Sequence, residues 1–360
     1  MKFLDLFSGI GGFRLGLERS GHTPVGYVEI DKFARQSYQA MYNTDGEWTA
    51  EDINKVTDEE WRKFNGTVEL IAGGFPCQSF SIAGKREGFL NQTKGTLFFE
   101  VARAVKQIKP RFVFLENVKG LLNHDKGNTF RTILNTFDEL GYDVEWRIYN
   151  SKDFGVPQNR ERVYIIGHLR GDSGREVFPF TGKGRAFNKA TLKQIGNISS
   201  SNSFGVREPK VAIPVLTPDR VNKLQNGRRF KENGDPSFTL TAQDKHGVMV
   251  KEATRKGYDV ATVGDSINIS QPNSKTRRGR VGHGIANTLL TGSEQATLTS
   301  NYRIRKLTPR ECWRLQAFPD ELFDKAQQSG LSDSQLYKQA GNSVTVNVIE
   351  YIGNLLKEGE

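Results

Sequence analysis

Cys77 stands in the run Gly73-Gly74-Phe75-Pro76-Cys77-Gln78-Ser79-Phe80-Ser81, directly after the apolar segment Leu70-Ile71-Ala72. The apolar segment reads as a buried strand. Two glycines let the backbone leave it at angles other residues avoid, and Pro76 stiffens the exit. A thiol placed at the carboxyl end of a strand is where open α/β sheets gather their chemistry, and as a thiolate it is a nucleophile. A cysteine taken alone is more often a small buried residue. Two further groups change that balance. Phe112-Val113-Phe114-Leu115 is a second buried strand that ends in Glu116-Asn117-Val118. If the two strands are parallel neighbours, Glu116 lies beside Cys77, and a buried glutamate there stays protonated and donates a hydrogen bond. Its alternative role is an ordinary helix cap. Gln158-Asn159-Arg160-Glu161-Arg162 precedes a third buried run, Val163 to Gly167. Arg160 and Arg162, two apart on an extended chain, point the same way and can converge on one pocket; surface salt bridging is the plainer use.

Stepping from these groups to the elements that hold them, Phe3 to Phe7 reads as the first strand, Ser8-Gly9-Ile10-Gly11-Gly12 as a tight turn and Phe13 to Arg19 as a helix. Strand, glycine turn and helix is the layout that binds adenosine-bearing cofactors. The glycines do not fit G-x-G-x-x-G, which favours a cofactor without a pyrophosphate, such as S-adenosylmethionine. Val25 to Ile30 reads as the second strand. Glu29 at its end can accept both ribose hydroxyls, while Asp31 starts the next helix. Asp52-Ile53 is placed to receive the adenine amino group, or is a surface turn. Gly95 to Lys109 has helical periodicity and ends at Pro110. Between it and Cys77, Ile82 to Gly88 is small, polar and basic, and reads as a loop able to close over a substrate. Near the C-terminus, Asn342 and Ser343 either cap the final helix or touch the cofactor, and Cys312 lies inside a helix opened by Pro309, where a structural role is expected.

Charge divides the chain. From Arg170 to Arg310 there are 25 basic and 11 acidic residues, a net +14, whereas the remainder carries −4 of the total +10. That segment is also rich in Gly, Ser, Thr and Asn. Its basic excess is an electrostatic footprint for a polyanion, with nucleic acid foremost. The loop Asn273 to Arg280 suits phosphates or base edges. No run of about 18 apolar residues occurs, so no membrane helix is expected. Two cysteines can make neither a disulfide framework nor a thiolate zinc site. A reducing, cytoplasmic setting, associated with the nucleoid through DNA, is expected, with no membrane and no metal.

Together these motifs resemble the DNA (cytosine-5) methyltransferases. The likeness covers Lys2 to Gly167 and Arg303 to Leu356. Asp5–Gly12 resembles the first family motif and Phe75-Pro76-Cys77-Gln78 the nucleophile motif. Glu116-Asn117-Val118, Gln158–Arg162, Arg305–Pro319 and Gly341-Asn342-Ser343-Val344 follow in family order. The resemblance implies an α/β fold, a Rossmann-like mixed and mostly parallel sheet, with a smaller, irregular β-rich target-recognition domain. The catalytic domain is then discontinuous, 1–172 plus 318–360, around recognition residues 173–317. It implies that a cytosine is flipped out of duplex DNA and that Cys77 adds to its C6. Glu116, Arg162 and Arg160 would support the ring while C5 takes the methyl of S-adenosylmethionine, leaving S-adenosylhomocysteine. For the cofactor it implies Phe7, Gly9, Ile10, Gly11, Gly12, Glu29, Ile30, Asp52, Ile53, Pro76, Leu97, Asn342 and Val344. For DNA it implies Gln78, Ser81, Ala83 and Lys85 near the vacated stack, with Arg277, Arg278, Arg280 and Thr288 expected from the variable segment. Many relatives carry serine where Ala83 stands, so no intercalating hydroxyl is available there. A monomer is expected, acting as the protective methylase of a restriction–modification system beside an endonuclease that reads the same site. The alternatives are the tRNA-methylating branch, which has a shorter middle segment, a catalytically silent DNA binder and a nicotinamide-dependent oxidoreductase.

Overall fold

The computed structural model describes residues 1–76, 97–171, 177–178, 212–216, 246–271, 274–300 and 303–357. Seven strands form the main sheet: β1 (Lys2–Leu6), β2 (Thr23–Val28), β3 (Trp48–Ala50), β4 (Leu70–Gly74), β5 (Phe112–Val118), β6 (Tyr142–Asn150) and β7 (Glu161–Leu169). Their order is β3-β2-β1-β4-β5-β7-β6. The first five are mutually parallel, and β7 runs antiparallel to both β5 and β6. The central strands are buried along nearly their whole length because helices cover both faces. That is why they read as unbroken apolar runs in the sequence.

One face packs Leu4, Ile71, Val113 and Ile165 against α3 (Asp58–Arg62), α4 (Leu97–Ile108) and α5 (Asn128–Glu139), through Trp61, Phe98 and Phe137. The other packs Phe3, Phe114 and Ile166 against α1 (Gly12–Arg19) and the C-terminal α9 (Val346–Lys357). These two helices approach so closely that a Cβ on Gly16 would stand 2.6 Å from Ile349 Cβ, and one on Gly353 would stand 2.2 Å from Ser20 Oγ. The last helix therefore packs directly on the first.

A third apolar cluster joins α6 (Pro309–Leu315), α7 (Asp320–Gln328) and α8 (Asp333–Asn342) to Ile10 and Met41 of the first unit; Met41 ends α2 (Lys32–Met41). Helix α6, with Cys312 and Trp313 buried, packs in this cluster both with Ile10 and Met41 of the first unit and with Ala286 and Leu289 of the middle segment; the sequence division at residue 317 places it with the recognition segment.

The described part of the middle segment is antiparallel. β8 (Ala212–Leu216), β9 (His246–Lys251) and β10 (Tyr258–Ala261) make a three-stranded sheet. β11 (Ser266–Asn268), β12 (Val281–Gly282), β13 (Gln295–Leu298) and β14 (Ile304–Lys306) make a four-stranded one. One small core, centred on Val250, Ala261, Ile267 and Leu298, serves both. The segment meets the first unit where Gln158 bridges Ala286 and the Asn159 amide donates to Ala286 O at 2.8 Å, with Ala286 and Leu289 also packed in the third apolar cluster.

Candidate active site

A cleft of about 430 Å³ opens at the carboxyl ends of β1, β2, β4 and β5. Its walls come from strand ends because a parallel sheet delivers all its exits to one edge. Phe7 leaves β1 with φ 54, a left-handed conformation rare for a side chain of that size, and Gly9 follows with φ 54. The Gly9 amide donates to Glu29 Oε2 at 2.7 Å, and the Asp31 amide to Glu29 Oε1 at 2.7 Å. Each carboxylate oxygen keeps further acceptor capacity toward the cleft. Burial pushes the Glu29 carboxyl up, and these two amides pull it back. Asp31 caps α2, accepting from Phe33 N at 2.9 Å, as the sequence suggests; its other oxygen meets Lys338 Nζ at 2.6 Å. Asp52 accepts from both nitrogens of Asn54, which hold its carboxyl below the usual range.

Phe7, Gly9, Ile10, Glu29, Ile30, Asp52, Ile53, Pro76, Leu97 and Asn342 all line this one cleft. Gly11, Gly12 and Val344 do not. A Cβ on Gly11 would meet the Tyr42 ring at 2.5 Å, and one on Gly12 would meet Val344 Cγ2 at 2.7 Å. These three pack around the turn, Gly11 against Tyr42 and Gly12 against Val344. The site fits an adenosine-bearing sulfonium cofactor. It offers a buried carboxylate pinned by amides for ribose hydroxyls, an ionised Asp52 for an amino group and the exposed Ile30 side chain for an adenine face.

At the deeper end, Gly74 is the register partner of Glu116 across the parallel β4–β5 pair. A Cβ on Gly74 would come within 3.2 Å of Glu116 Oε2, so the glycine makes room for that carboxyl. Asn117 Nδ2 donates to Phe75 O at 2.8 Å and ties down the chain just before Pro76 and Cys77. Arg162 reaches from β7, its Nε 3.0 Å from Glu116 Oε1, yet the N–H is not aligned and Oε1 has no hydrogen-bond partner among the described residues. Burial raises the Glu116 carboxyl; the charges of Arg162 and Arg160 oppose it but do not cancel it.

Arg160 lines the same cleft as Glu116 and Arg162. It is buried, and its guanidinium donates to Ser343 O at 2.7 Å, Gly341 O at 3.3 Å and Leu289 O at 3.5 Å. It ties the turn before α9 to Leu289, while Arg162 lines the cleft beside Glu116. Desolvation, then repulsion from Arg162, lowers its pKa to about 10, so it stays charged at neutral pH. Arg280 departs from expectation. Instead of facing DNA it is buried, donating to Asn268 O, Ser270 O and Gln271 O. Arg278 is exposed, with its Nε donating to Ala253 O at 3.0 Å, and Arg277 is half-buried. Thr288 Oγ1 donates to Asn159 O at 2.6 Å, part of the bridge to the catalytic unit. Cys77, Gln78, Ser81, Ala83 and Lys85 lie outside the described residues.

Sequence reading missed Gly74 as a space-maker and Asn117 as a tether. The signal was present for Asn117: an amide side chain one residue past a carboxylate, at the end of an otherwise apolar strand, needs a backbone partner.

The profile described as "C-5 cytosine-specific DNA methylase" matches residues 1–358. The type II methyltransferase M.SsoII of Shigella sonnei is 36% identical, covering 98% of this chain and 78% of its own. The orphan methyltransferase M.SPRI of Bacillus phage SPR is 32% identical, covering 98% and 96%. Among solved structures, a putative DNA modification methyltransferase encoded within an E. coli prophage superposes with a TM-score of 0.61 at 22% identity, covering 99% of both chains. The S. pombe Dnmt2 methyltransferase gives 0.56 at 16% identity, covering 99% and 98%. The two structures bear on the fold alone.

Proposed function

The chain belongs to the C-5 cytosine-specific DNA methylases, which makes it a DNA (cytosine-5) methyltransferase using S-adenosylmethionine, and from that membership we propose how its cleft works. The target cytosine leaves the duplex and enters the deep end of the cleft, since C5 and C6 are out of reach inside a base stack. Cys77, the residue after Pro76 on the wall, adds as thiolate to C6. The C5 carbon becomes enamine-like and nucleophilic. Glu116, whose carboxyl burial raises, donates as the acid to N3 and holds the charge that develops on the ring; its Oε1, beside Arg162 Nε at 3.0 Å, accepts from the 4-amino group. Arg162 donates to O2. Arg160 acts through others: it fixes the 341–343 turn and hence Asn342 on the cofactor wall. When bound, S-adenosylmethionine supplies an electrophilic methyl group, and Glu29, Asp52, Ile30 and Asn342 hold its adenosine end. Loss of the C5 proton and of Cys77 then restores aromaticity.

The observation that carries this reading is the register of Gly74 with Glu116. It puts a buried, under-bonded carboxyl beside the strand exit that leads to Cys77. Flipping is tested with duplexes carrying 2-aminopurine at the target position. A rise in fluorescence on binding is expected; unchanged fluorescence when the probe duplex is bound, while the matching duplex with cytosine at that position is methylated, would remove the flipping step.

We further propose that the enzyme protects its own site from a cognate endonuclease, as the type II name of the Shigella sonnei relative suggests. DNA passed through an expressing strain should contain 5-methylcytosine at one short sequence and resist an endonuclease encoded beside the gene. Methylation with no neighbouring endonuclease would put the chain with the orphan enzymes instead.

A further inference from the structure

Behind the glycine turn lies a group of side chains that no step above uses. Tyr42, the residue after α2, lays its ring against Gly11 and its hydroxyl against the turn's carbonyls, 3.0 Å from Gly11 O and 3.3 Å from Ile10 O. Gly11 is left-handed at φ 78, and the Tyr42 ring occupies the space a Cβ would need. Tyr42 is held in turn. The Arg14 guanidinium sits 4.7 Å from its ring centroid, and Tyr38 meets it edge-on at 5.0 Å. Arg14 grips Glu47 through both terminal nitrogens at 2.8 Å and donates to Asn43 O at 3.0 Å. The path is closed: glycine turn, α1, Arg14, the 43–47 loop, Tyr42, and back to the turn. The front of the same turn carries the Gly9 amide that binds Glu29.

We propose that Tyr42 is a positioning residue for the cofactor. It clamps the Ile10–Gly11 carbonyls from behind, so that the Gly9 amide and Glu29 stand ready on the cleft wall before the cofactor arrives. A turn made mostly of glycine has many conformations open to it. Without the hydroxyl, part of the binding free energy goes into ordering it. Tyr42 has the right chemistry for this duty in every usable buffer, because burial raises its pKa far above neutral and the hydroxyl stays a donor.

The test compares two hydroxyl deletions within one aromatic stack, in the full chain. Tyr42→Phe removes the donor to the turn. Tyr27→Phe removes a buried hydroxyl that accepts from Gln39 at 3.0 Å and does not touch the turn, although its ring stacks on Tyr38 at 4.2 Å. Binding of S-adenosylmethionine by the wild-type chain, measured first by calorimetry, separates a wrong cofactor site from a wrong clamp. With that in place, Tyr42→Phe should raise the cofactor Kd roughly three- to tenfold, the range of one modest hydrogen bond. It should leave kcat at saturating cofactor and KM for DNA within about twofold of wild type, as loss of uniform binding does. Tyr27→Phe should lower Tm with no change in cofactor Kd. If Tyr42→Phe does not fold, Glu47→Gln, which slackens the grip on Arg14, should show the same split at smaller size. A cofactor Kd that Tyr42→Phe moves no more than Tyr27→Phe overturns the proposal, and so does a fall in kcat with Kd unchanged.

Discussion

The cleft and the recognition segment place their charged groups by different rules. In the cleft, Glu29, Glu116 and Arg162 stand at ends of strands whose register is set by a large buried sheet. In the recognition segment, arginines two residues apart take opposite fates: Arg278 is exposed, whereas Arg280 is buried on three carbonyls. A sheet fixes direction over its whole length. A short strand over a small core leaves direction to the nearest unsatisfied carbonyl.

The comparison is tested hardest at Glu116. Glu116→Gln keeps the shape and loses the acidic proton, so kcat should fall by roughly 10²- to 10³-fold, with cofactor Kd nearly unchanged. Steady-state rates at saturating DNA and calorimetric binding check the two halves. In the recognition segment, Arg280→Ala should act on stability. One buried and two part-buried carbonyls lose their donor, at a cost of about 2 kcal/mol, seen as a lower denaturant midpoint rather than a changed salt dependence.

Asp5 gives a smaller effect with a defined sign. It is fully buried under the glycine turn, and burial lifts its carboxyl to about 8 from an ordinary 3.8. The unfolded chain releases this proton near pH 4 and the folded one near pH 8. Between those values the folded state holds more protons, so its contribution to stability is full below pH 4 and lost as pH rises toward 8. Unfolding free energy should therefore decline by up to about 1.4 kcal/mol per pH unit from this group, and Asp5→Asn should flatten the slope. The smallest effect belongs to Arg278→Ala: binding weakened a few-fold across all sequences, and the slope of log affinity against log salt reduced by about one.

Much of the cleft was legible in the sequence for the same reason that it is rigid. Apolar runs ending in Glu29, Gly74 and Glu116 announce strand exits, and parallel packing brings exits together. Arg160 was legible as a member of the site but not in its duty, because its acceptors, Gly341, Ser343 and Leu289, lie far along the chain. Helix α6 stands where the two units meet, and the rise in polar and basic residues has no sharp end there to mark it. Trp313 and Leu315 share one cluster with Ile10 on one side and with Ala286 and Leu289 on the other. Arg280 was misread because a loop sequence carries charge but not orientation. Tyr42 gave no signal, since a tyrosine after a helix is ordinary until the glycine beneath its ring is known.

The central claim is covalent chemistry by Cys77 at the exit of β4, with Glu116 and Arg162 holding the ring. It is tested most directly by mixing the enzyme with S-adenosylmethionine and duplex DNA containing 5-fluorocytosine, where fluorine at C5 blocks the final elimination. Mass spectrometry of the denatured mixture should find a stable protein–DNA adduct that maps to Cys77 and is lost in Cys77→Ala. An adduct on another residue, or methyl transfer to ordinary cytosine that persists in Cys77→Ala, would contradict the account.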